Sequence, residues 1–416
     1  MASSVASATA KVAGTAGAKE LAHALFANKK YVLAPMVRCG TIPFRLTCLH
    51  YGADTVFGPE IIDKKLIQCY REENPRLGTV DFKMRSGALV FRTKPSVERG
   101  KLIFQLGSSS PELAVAGAKL IAGDVDGIDL NMGCPKSFSI KGGMGAALLK
   151  TPTVACEIIK ALRANFPDKA VSCKIRLLGT TDETVRLCQS LEAAGAHAIS
   201  IHARTKEMRP RDPAHWEHLV PLVKSVNIPI LANGDVFSRD DADTVMRSTG
   251  VSSVMIARGA LLNASMFKPD GNTVHYDDVC RQFVRFAVET DAHPINAKYI
   301  LQYIYRENNC LGDERGRALT SKATRDLRTI ASLWGLQDEL DFSNVTLQYM
   351  GKKRGRKNNT QERLPGGGAA AALLRRAARG VARAHLLPLL HGVVRPRLAA
   401  ALARRRSING EGPPLK

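Results

Sequence analysis

The stretch GIDLNMGCPKSFSIKGGMGAALL, residues 127–149, decides how the chain folds. Its first residues alternate apolar and polar side chains, which predicts a short buried strand. A loop follows the strand at once and presents Cys134 between a glycine and a proline. The glycine-rich run at 142–145 lets backbone approach a ligand closely because no Cβ stands in the way. The stretch therefore predicts a strand whose C-terminal end carries a thiol placed for chemistry.

Strands and helices alternate on both sides of this stretch. Continuous apolar segments bounded by helical periods are typical of parallel strands that helices cover. Eight such segments in about 230 residues predict an α/β fold of the (β/α)₈ TIM-barrel class. The predicted strands are YVLAPM (31–36), ADTVFGPE (53–60), LIFQLG (102–107), GIDLNMG (127–133), AVSCKIR (170–176), AISIHAR (198–204), IPILANGD (228–235) and SSVMIARG (252–259).

The chain has 416 residues, enough for one large domain and a smaller one. We expect a flexible leader at 1–28, the barrel domain at 29–265, a helical domain at 266–344 and a basic low-complexity tail at 345–416. The leader has an alternative interpretation as an organelle transit segment, although it lacks the arginines typical of one. Within 266–344, apolar residues recur at spacings of three and four, which predicts a small helical bundle.

The formal net charge of +22 is distributed unevenly. Residues 346–416 carry 16 Lys+Arg and 2 Asp+Glu, whereas the rest of the chain carries 44 and 36, a net charge of +8. The net charge of +8 on the chain before residue 346 also favours a polyanionic partner, because each phosphate that a basic residue neutralises releases counterions. The patch GKKRGRKNN at 351–359 fits nucleic acid or nuclear import. The tail is either a disordered basic arm or the product of an altered reading frame, and the sequence leaves both open.

The nine cysteines form no CxxC pair and no Cys/His pair at zinc spacing, so we expect no metal centre. Several lie in apolar runs, which is typical of reduced thiols, and we expect a cytoplasmic monomer, with mitochondrial or nuclear targeting as alternatives. The sequence has no run of about 18 apolar residues, so we expect no membrane span.

Polar side chains gather at the C-terminal ends of the predicted strands, which form the working face of a (β/α)₈ barrel. The candidate site residues at these ends are Pro35, Met36, Val37, Gln105, Asn131, Cys134, Lys174, Arg176, His202, Arg204, Asn233, Gly234, Asp235, Ala257, Arg258 and Gly259.

Several of these residues have a definite physical role. The segments 233–235 and 257–259 follow the seventh and eighth strands, where such barrels usually hold a phosphate on backbone N–H groups. Lys174 supplies a compact positive charge for an anionic ring, and Gln105 offers a donor and an acceptor together. His202 can donate to a ring oxygen.

Two candidates also have a plainer interpretation. A free cysteine is usually a small core hydrophobe, but the loop position of Cys134 favours a functional thiol. An isolated histidine such as His202 is more often a satisfied core residue. Lys174 and Arg176 favour a site, because buried unpaired charges are costly. The set fits a phosphate-bearing cofactor such as flavin mononucleotide (FMN), whose anionic reduced ring needs a nearby cation.

The chain resembles the tRNA-dihydrouridine synthases over about residues 30–344, on motifs that are specific as a set. The segments APMVRCGTIPFRL and NMGCPK resemble those of the eukaryotic branch that acts on position 20 of the D-loop. The motifs are APMV (34–37), GIDLNMGCPK (127–136), KGGMGAALL (141–149), CKIR (173–176), IHART (201–205), ANGD (232–235) and MIARG (255–259).

This resemblance implies an FMN enzyme that reduces the C5=C6 bond of a uridine in tRNA at the expense of NADPH or NADH. Cys134 matches the acid that protonates C5 while the reduced flavin delivers hydride to C6 from the opposite face. A thiol suits this role because its pKa of ~8.5 leaves it largely protonated near neutral pH. The helical region matches a domain that clamps tRNA while the target base is flipped into the barrel.

The resemblance also assigns the other candidate residues either to the uracil or to the flavin. Asn131, Arg176 and Arg204 match positions near the uracil and its flanking phosphates. Asp235 stands where a second glycine is common, so we expect its carboxylate to point away from the cofactor phosphate. The positions that match flavin contacts are Pro35, Met36, Val37, Gln105, Lys174, His202, Asn233, Gly234, Ala257, Arg258 and Gly259.

Two rival functions remain. One is an FMN-dependent reductase or dehydrogenase of free pyrimidines, which the positive charge, the helical region and the segment 141–149 disfavour. The other is a tRNA-binding protein without turnover, which the presence of Cys134, Lys174 and His202 disfavours.

Overall fold

The computed structural model describes residues 17–346, apart from the side chain of Phe138. Of these, residues 17–207 and 214–346 belong to one compact unit, and residues 208–213 belong to a second. The first 16 residues of the expected leader lie outside the described residues. The same is true of the expected tail beyond residue 346.

The described residues contain twelve strands. In chain order they are β1 (Tyr31–Leu33), β2 (Thr55–Phe57), β3 (Ile61–Ile62), β4 (Cys69–Asn74), β5 (Thr79–Met84), β6 (Leu89–Thr93), β7 (Leu102–Gly107), β8 (Gly127–Asn131), β9 (Ala170–Arg176), β10 (Ala198–His202), β11 (Ile230–Asn233) and β12 (Ser253–Ile256).

The described helices follow the strands in alternation and then continue alone towards residue 332. They are α1 (17–26), α2 (Ile42–His50), α3 (Asp63–Leu66), α4 (Pro95–Glu98), α5 (Pro111–Ile121), α6 (Ser137–Lys141), α7 (Pro152–Asn165), α8 (Thr181–Ala193), α9 (Leu219–Ser225), α10 (Arg239–Thr249), α11 (Arg258–Leu262), α12 (Tyr276–Glu289), α13 (Pro294–Glu307), α14 (Glu314–Thr320) and α15 (Leu327–Ser332).

Eight parallel strands close into a barrel in the order β1, β2, β7, β8, β9, β10, β11, β12, with β12 pairing back to β1. The predicted TIM-barrel fold and its eight strands are therefore confirmed. The register places polar residues side by side at the C-terminal ends: Asn131 lies opposite Lys174, and His202 lies between Arg176 and Asn233. The strand ends thus deliver the candidate residues to one mouth.

Local sequence signals explain where the covering helices begin and end. Helix α8 starts at a capping box in which Thr180 and Glu183 satisfy each other's backbone N–H groups. Helix α10 starts in the same way at Ser238 and ends at Gly250 in the left-handed conformation. The buried face of each helix packs on the strands, so the barrel is apolar on both sides of its wall.

Residues 17–26 of the leader, which we expected to be flexible up to residue 28, form helix α1. Leu25 and Phe26 of α1 are fully buried in the core inside the barrel. The last carbonyls of α1 accept hydrogen bonds from Thr55 Oγ1 (2.9 Å) and Ser253 Oγ (2.8 Å), which lie at the first residues of β2 and β12. This part of the prediction was wrong, because the small side chains around Leu25 conceal an apolar helix face that closes the N-terminal end of the barrel.

A second sheet, unforeseen in the sequence, is inserted after barrel strand β2. Strands β4, β5 and β6 form an antiparallel meander, and Val80, Phe82 and Phe91 are buried beneath it. Buried Arg45 of α2 donates to Glu98 at 2.6 Å and fastens the insertion to the barrel. The charged sequence of β4 hides the strand, because three of its six residues are exposed and none is fully buried.

The predicted helical region after the barrel contains α12 to α15. Its helices share a hydrophobic core with the barrel, and Phe283 of α12 stacks edge-on against Phe44 of α2 with ring centroids 6.5 Å apart. Tyr305 of α13 is buried as well. Among the helices in the described part of the chain, we find none with the length and apolarity needed to cross a bilayer.

Candidate active site

The loop that carries Cys134 is fixed to the ends of β8 and β9. Asn131 Oδ1 accepts the backbone N–H groups of Gly133 (2.9 Å) and Cys134 (3.0 Å). Arg176 Nε donates to the carbonyl of Gly133 at 2.8 Å, and Ala146 N–H donates to the carbonyl of Cys134 at 3.0 Å. Cys134 is half-buried at the barrel mouth and not in the apolar interior. The structure thus brings the thiol, Asn131 and Arg176 together.

A chain of side-chain amides orients Asn131 from below. Buried Asp129 accepts Gln105 Nε2 at 2.8 Å and Ser172 Oγ at 2.7 Å on its two carboxylate oxygens. Gln105 Oε1 is then left to accept Asn131 Nδ2 at 3.1 Å, so Asn131 turns its oxygen towards the Cys134 loop. Burial raises the pKa of Asp129 to about 6, against the hydrogen bonds from Gln105 and Ser172.

The predicted cation, Lys174, lies beside the predicted neutral donor, His202. Lys174 Nζ donates to Asn233 Oδ1 at 2.9 Å, and Asn233 Nδ2 donates to the Met255 carbonyl at 2.8 Å, which fixes the amide's orientation. Burial, followed by the charge of Arg176, lowers the pKa of Lys174 to about 7. Burial and then Lys174 hold the pKa of His202 well below 6.5, so His202 is neutral at pH 7.

Asp235 lies between two of the predicted site arginines. Its Oδ1 accepts Arg204 Nη2 at 2.5 Å and Arg258 Nη2 at 2.8 Å, and its Oδ2 accepts the N–H of Ala214 at 2.8 Å. Arg204 is almost fully buried and also contacts His202 Nε2 at 3.2 Å. Although the resemblance assigned Arg204 to the uracil side, the structure places it in this cluster after β10 and β11. Burial opposes the ionisation of Asp235, but the arginines still lower its pKa.

Two predicted glycines stand where a side chain would collide with the backbone or with the site. A Cβ on Gly259 would lie 2.4 Å from the Val236 carbonyl oxygen. Gly234 has φ +123°, and a Cβ there would lie 3.0 Å from Ala214 Cβ and 3.2 Å from His202 Cδ2. These glycines allow the turns after β11 and β12 to close tightly beside Arg258.

The segment after β1 lies on the rim of the mouth next to the turn after β12, because β1 pairs with β12. Pro35 and Met36 are half-buried, whereas Val37 exposes 56% of its surface. The carbonyl of Met36 accepts the N–H of Gly40 at 2.9 Å, so the chain turns directly into α2. The turn after β12, which contains Ala257, opens α11.

Three residues at the mouth escaped the sequence analysis. Glu60 follows β2 with one carboxylate oxygen buried, Asp129 lies under the amide chain, and Trp216 Nε1 donates to the Gly234 carbonyl at 3.0 Å. Glu60 ends a predicted strand, ADTVFGPE, so the strand-end rule that selected the other candidates also selects it. No comparable signal marks Trp216, because its contact joins positions 18 residues apart.

One group of side chains has ligand atoms close enough for a metal ion. His215, Glu217 and His218 place these atoms within 4.8 Å of one another, and no second group of this kind occurs in the described residues. His215 Nδ1 already bonds to Glu217 at 2.8 Å, and His218 Nδ1 bonds to Thr181 Oγ1 at 2.7 Å. These contacts account for the cluster without an ion, so we assign no metal to it.

The barrel, the loop that carries Cys134 and the basic residues at the mouth are features of one class of protein. Comparison with known proteins shows which family this is. The family model described as Dihydrouridine synthase (Dus) matches residues 32–308. The chain belongs to this family, and the resemblance found in the sequence motifs is confirmed.

Comparison with curated relatives shows which members of the family this chain is similar to. The chain is 43% identical over 311 residues to the tRNA-dihydrouridine(20) synthase [NAD(P)+] of Schizosaccharomyces pombe, covering 72% of this chain and 64% of the relative. It is 42% identical over 295 residues to the protein of the same name in Saccharomyces cerevisiae, covering 66% of this chain and 77% of the relative. The tRNA-dihydrouridine(20a/20b) synthase of S. cerevisiae is 30% identical over 281 residues, covering 67% of this chain and 72% of the relative.

Proposed function

We propose that this protein reduces a uridine of tRNA to 5,6-dihydrouridine, with FMN as its flavin and NADPH or NADH as the electron donor. The position of Cys134 at the barrel mouth, beside Lys174 and Asn131, carries the proposal. The names of the relatives support the reaction class and the nicotinamide donor. This chain is more similar in sequence to the position-20 enzymes than to the 20a/20b enzyme, which supports position 20 of the D-loop as the site of modification.

The mouth suits a flavin mononucleotide on chemical grounds. Lys174 has no carboxylate within ion-pair distance in the described part of the chain, so an anionic ring would complete its environment. Neutral His202 and the Gln105 amide offer hydrogen bonds to ring oxygens and nitrogens. Arg258 and the glycine turns after β11 and β12 suit a phosphate. When bound, the flavin supplies the hydride.

The chain's own residues supply the proton and the geometry. Burial raises the pKa of the Cys134 thiol, so the group is protonated at neutral pH and can act as a general acid towards C5 of the base. Asn131 and Arg176 hold the loop of Cys134 in place through the contacts described above. In this arrangement Lys174, on the strand next to β8, and His202, on the following strand, would orient the flavin.

A groove beside the mouth supports tRNA as the substrate. It has a volume of about 1190 Å³ and runs between the β4–β6 sheet and α13. Arg38, Arg76 and Lys83 line it together with the acidic residues Glu72, Glu73 and Asp291, and Lys83 is paired with Glu72 at 3.0 Å. The Arg38 guanidinium lies 5.8 Å from the ring centre of Tyr299, a pairing that suits phosphate and base contacts.

Turnover of unmodified tRNA tests the proposal. The purified protein is incubated with a tRNA transcript and NADPH or NADH, and dihydrouridine is measured by nucleoside mass spectrometry and mapped along the D-loop. We expect dihydrouridine at position 20 and release of FMN on denaturation. Uracil and orotate run in parallel, because turnover of a free pyrimidine without turnover of tRNA would instead support the first rival function. Binding of tRNA without flavin or product would support the second.

A further inference from the structure

Glu60 lies at the mouth because of how the chain leaves barrel strand β2. It directly precedes β3, and β3 pairs with β7 so that Ile61 lies opposite Leu106. This pairing turns the Glu60 carboxyl over Gly107, where Oε1 lies 2.8 Å from the position of a Cβ on that glycine. Any side chain at residue 107 would displace the carboxyl, so the glycine keeps a place for it.

The carboxyl lies within hydrogen-bonding reach of the proposed catalytic thiol, because each group affects the protonation of the other through a side-chain hydrogen bond. Glu60 Oε1 is buried and accepts no hydrogen bond from the described residues, and the same is true of Ser139 Oγ. A Cβ on Gly145 would lie 2.4 Å from Ser139 Oγ and 3.0 Å from Cys134 Cβ, so Ser139 and the thiol residue are neighbours. A buried acceptor without a fixed donor needs a partner, and Cys134 Sγ–H is the donor at hand.

The electrostatics of the two groups are linked. Burial raises the pKa of Cys134, and the negative charge of Glu60 raises it further. Burial also raises the pKa of Glu60, while the Cys134 thiol opposes that rise. Neighbouring charged groups have other partners: Asp63 accepts Ser108 Oγ, Lys174 donates to Asn233, and Arg176 donates to Gly133.

We propose that Glu60 is a positioning residue that keeps the Cys134 thiol protonated before each reduction and returns a proton to it afterwards. This inference rests on the proposed function of Cys134 as the acid. In the reduction the S–H bond breaks, the proton forms a C–H bond at C5, and the electron pair stays on sulfur. The new thiolate then lies beside the ionised Glu60 carboxylate, which takes a proton from water and passes it to sulfur, so that the S–H bond and the carboxylate are both restored. Two adjacent negative charges favour this uptake.

The reactivity of the thiol tests the pairing without any substrate. The purified protein is treated with iodoacetamide at pH 8, and alkylation of the Cys134 peptide is followed by mass spectrometry. Glu60→Gln removes the charge at constant size, so the thiol pKa falls, although burial still holds it above its ordinary value. Thiolate content then rises while the nucleophilicity of each thiolate falls only in part, so we expect alkylation several-fold faster. Glu157→Gln, an exposed change on α7, should match wild type.

Two further measurements make the result decisive. Glu60→Asp retains the charge and should alkylate near the wild-type rate, and buried Cys173 and Cys188 should stay unreactive in every folded variant. In turnover, the basic limb of the pH profile should move to lower pH in Glu60→Gln only. Equal alkylation rates in wild type and Glu60→Gln would overturn the inference. Because alkylation needs no tRNA, absence of wild-type turnover would count against the proposed function and leave the thiol result readable.

Discussion

Gln105 Nε2 donates to Asp129 Oδ2 at 2.8 Å, and this contact decides which way the Gln105 amide faces. Because the nitrogen is directed at the carboxylate, the oxygen is left for Asn131, whose own oxygen then holds the Cys134 backbone. A carboxylate with no contact to the thiol therefore determines the geometry of the thiol's loop.

Replacement of that carboxylate should loosen the loop. Asp129→Asn leaves one acceptor oxygen for two donors, Gln105 Nε2 and Ser172 Oγ, so one buried donor loses its partner. We expect a loss of about 1–3 kcal/mol in the free energy of unfolding and slower dihydrouridine formation. Urea unfolding and nucleoside mass spectrometry measure both. Asp126→Asn is the control, because Asp126 accepts two backbone N–H groups on one oxygen and an amide oxygen can replace it.

Removal of the proposed acid should separate binding from chemistry. Cys134→Ala should retain bound flavin and tRNA affinity but lower dihydrouridine formation by about 10²–10⁴-fold, the usual effect of losing a general acid. Cys156→Ala, a half-buried cysteine on α7, should be fully active. Wild-type rates in Cys134→Ala would remove the proton donor from the mechanism.

The stability of the flavin-free protein should rise with pH because of Lys174. Its pKa in the folded protein is about 7, below the ordinary 10.5, so between these values the unfolded chain binds a proton that the folded chain does not. Stability therefore increases as pH rises from about 7 towards 10. Lys174→Met should reduce this slope and abolish flavin binding, as measured by urea unfolding at pH 7 and 9 and by flavin fluorescence. An unchanged slope would contradict the assignment.

Loss of the carboxylate between the two arginines should be costly. Asp235→Ala leaves the buried Arg204 guanidinium without its ion-pair partner, and breaking such a buried pair costs about 3 kcal/mol. We expect that loss in urea unfolding together with weaker flavin binding. Asp240→Ala, an exposed change in the first turn of α10, should remain within about 0.5 kcal/mol of wild type.

A single methyl group beside the thiol should displace it. Gly145 has φ +58°, and a Cβ there would lie 2.7 Å from the Cys134 carbonyl oxygen. Gly145→Ala should therefore keep the fold but lower turnover roughly 10- to 100-fold, because a small misplacement of a catalytic group is costly. Gly100→Ala is the matched control, because Gly100 also has a positive φ, +80°, and a Cβ there meets nothing within 4 Å. Equal activity of the two variants would show that the loop tolerates the shift.

The linear sequence was sufficient for the barrel and for most of its mouth. Each barrel strand is a short apolar run followed by polar or glycine residues, and parallel closure brings all such ends to one face. Cys134, Lys174 and His202 could therefore be placed before any coordinates. The helix 17–26 and the β4–β6 sheet were missed, because small residues in the first and exposed charges in the second mask the periodicity.

The tertiary structure alone decided the pairings within the mouth. Nothing in the order of residues states that Asp235 joins Arg204 to Arg258, or that Glu60 lies beside a thiol 74 positions away in the chain. Periodicity reports which face of an element is buried, and it says nothing about which side chain on another element meets it. Those contacts depend on strand register and on the turns after each strand, which are fixed only when the barrel closes.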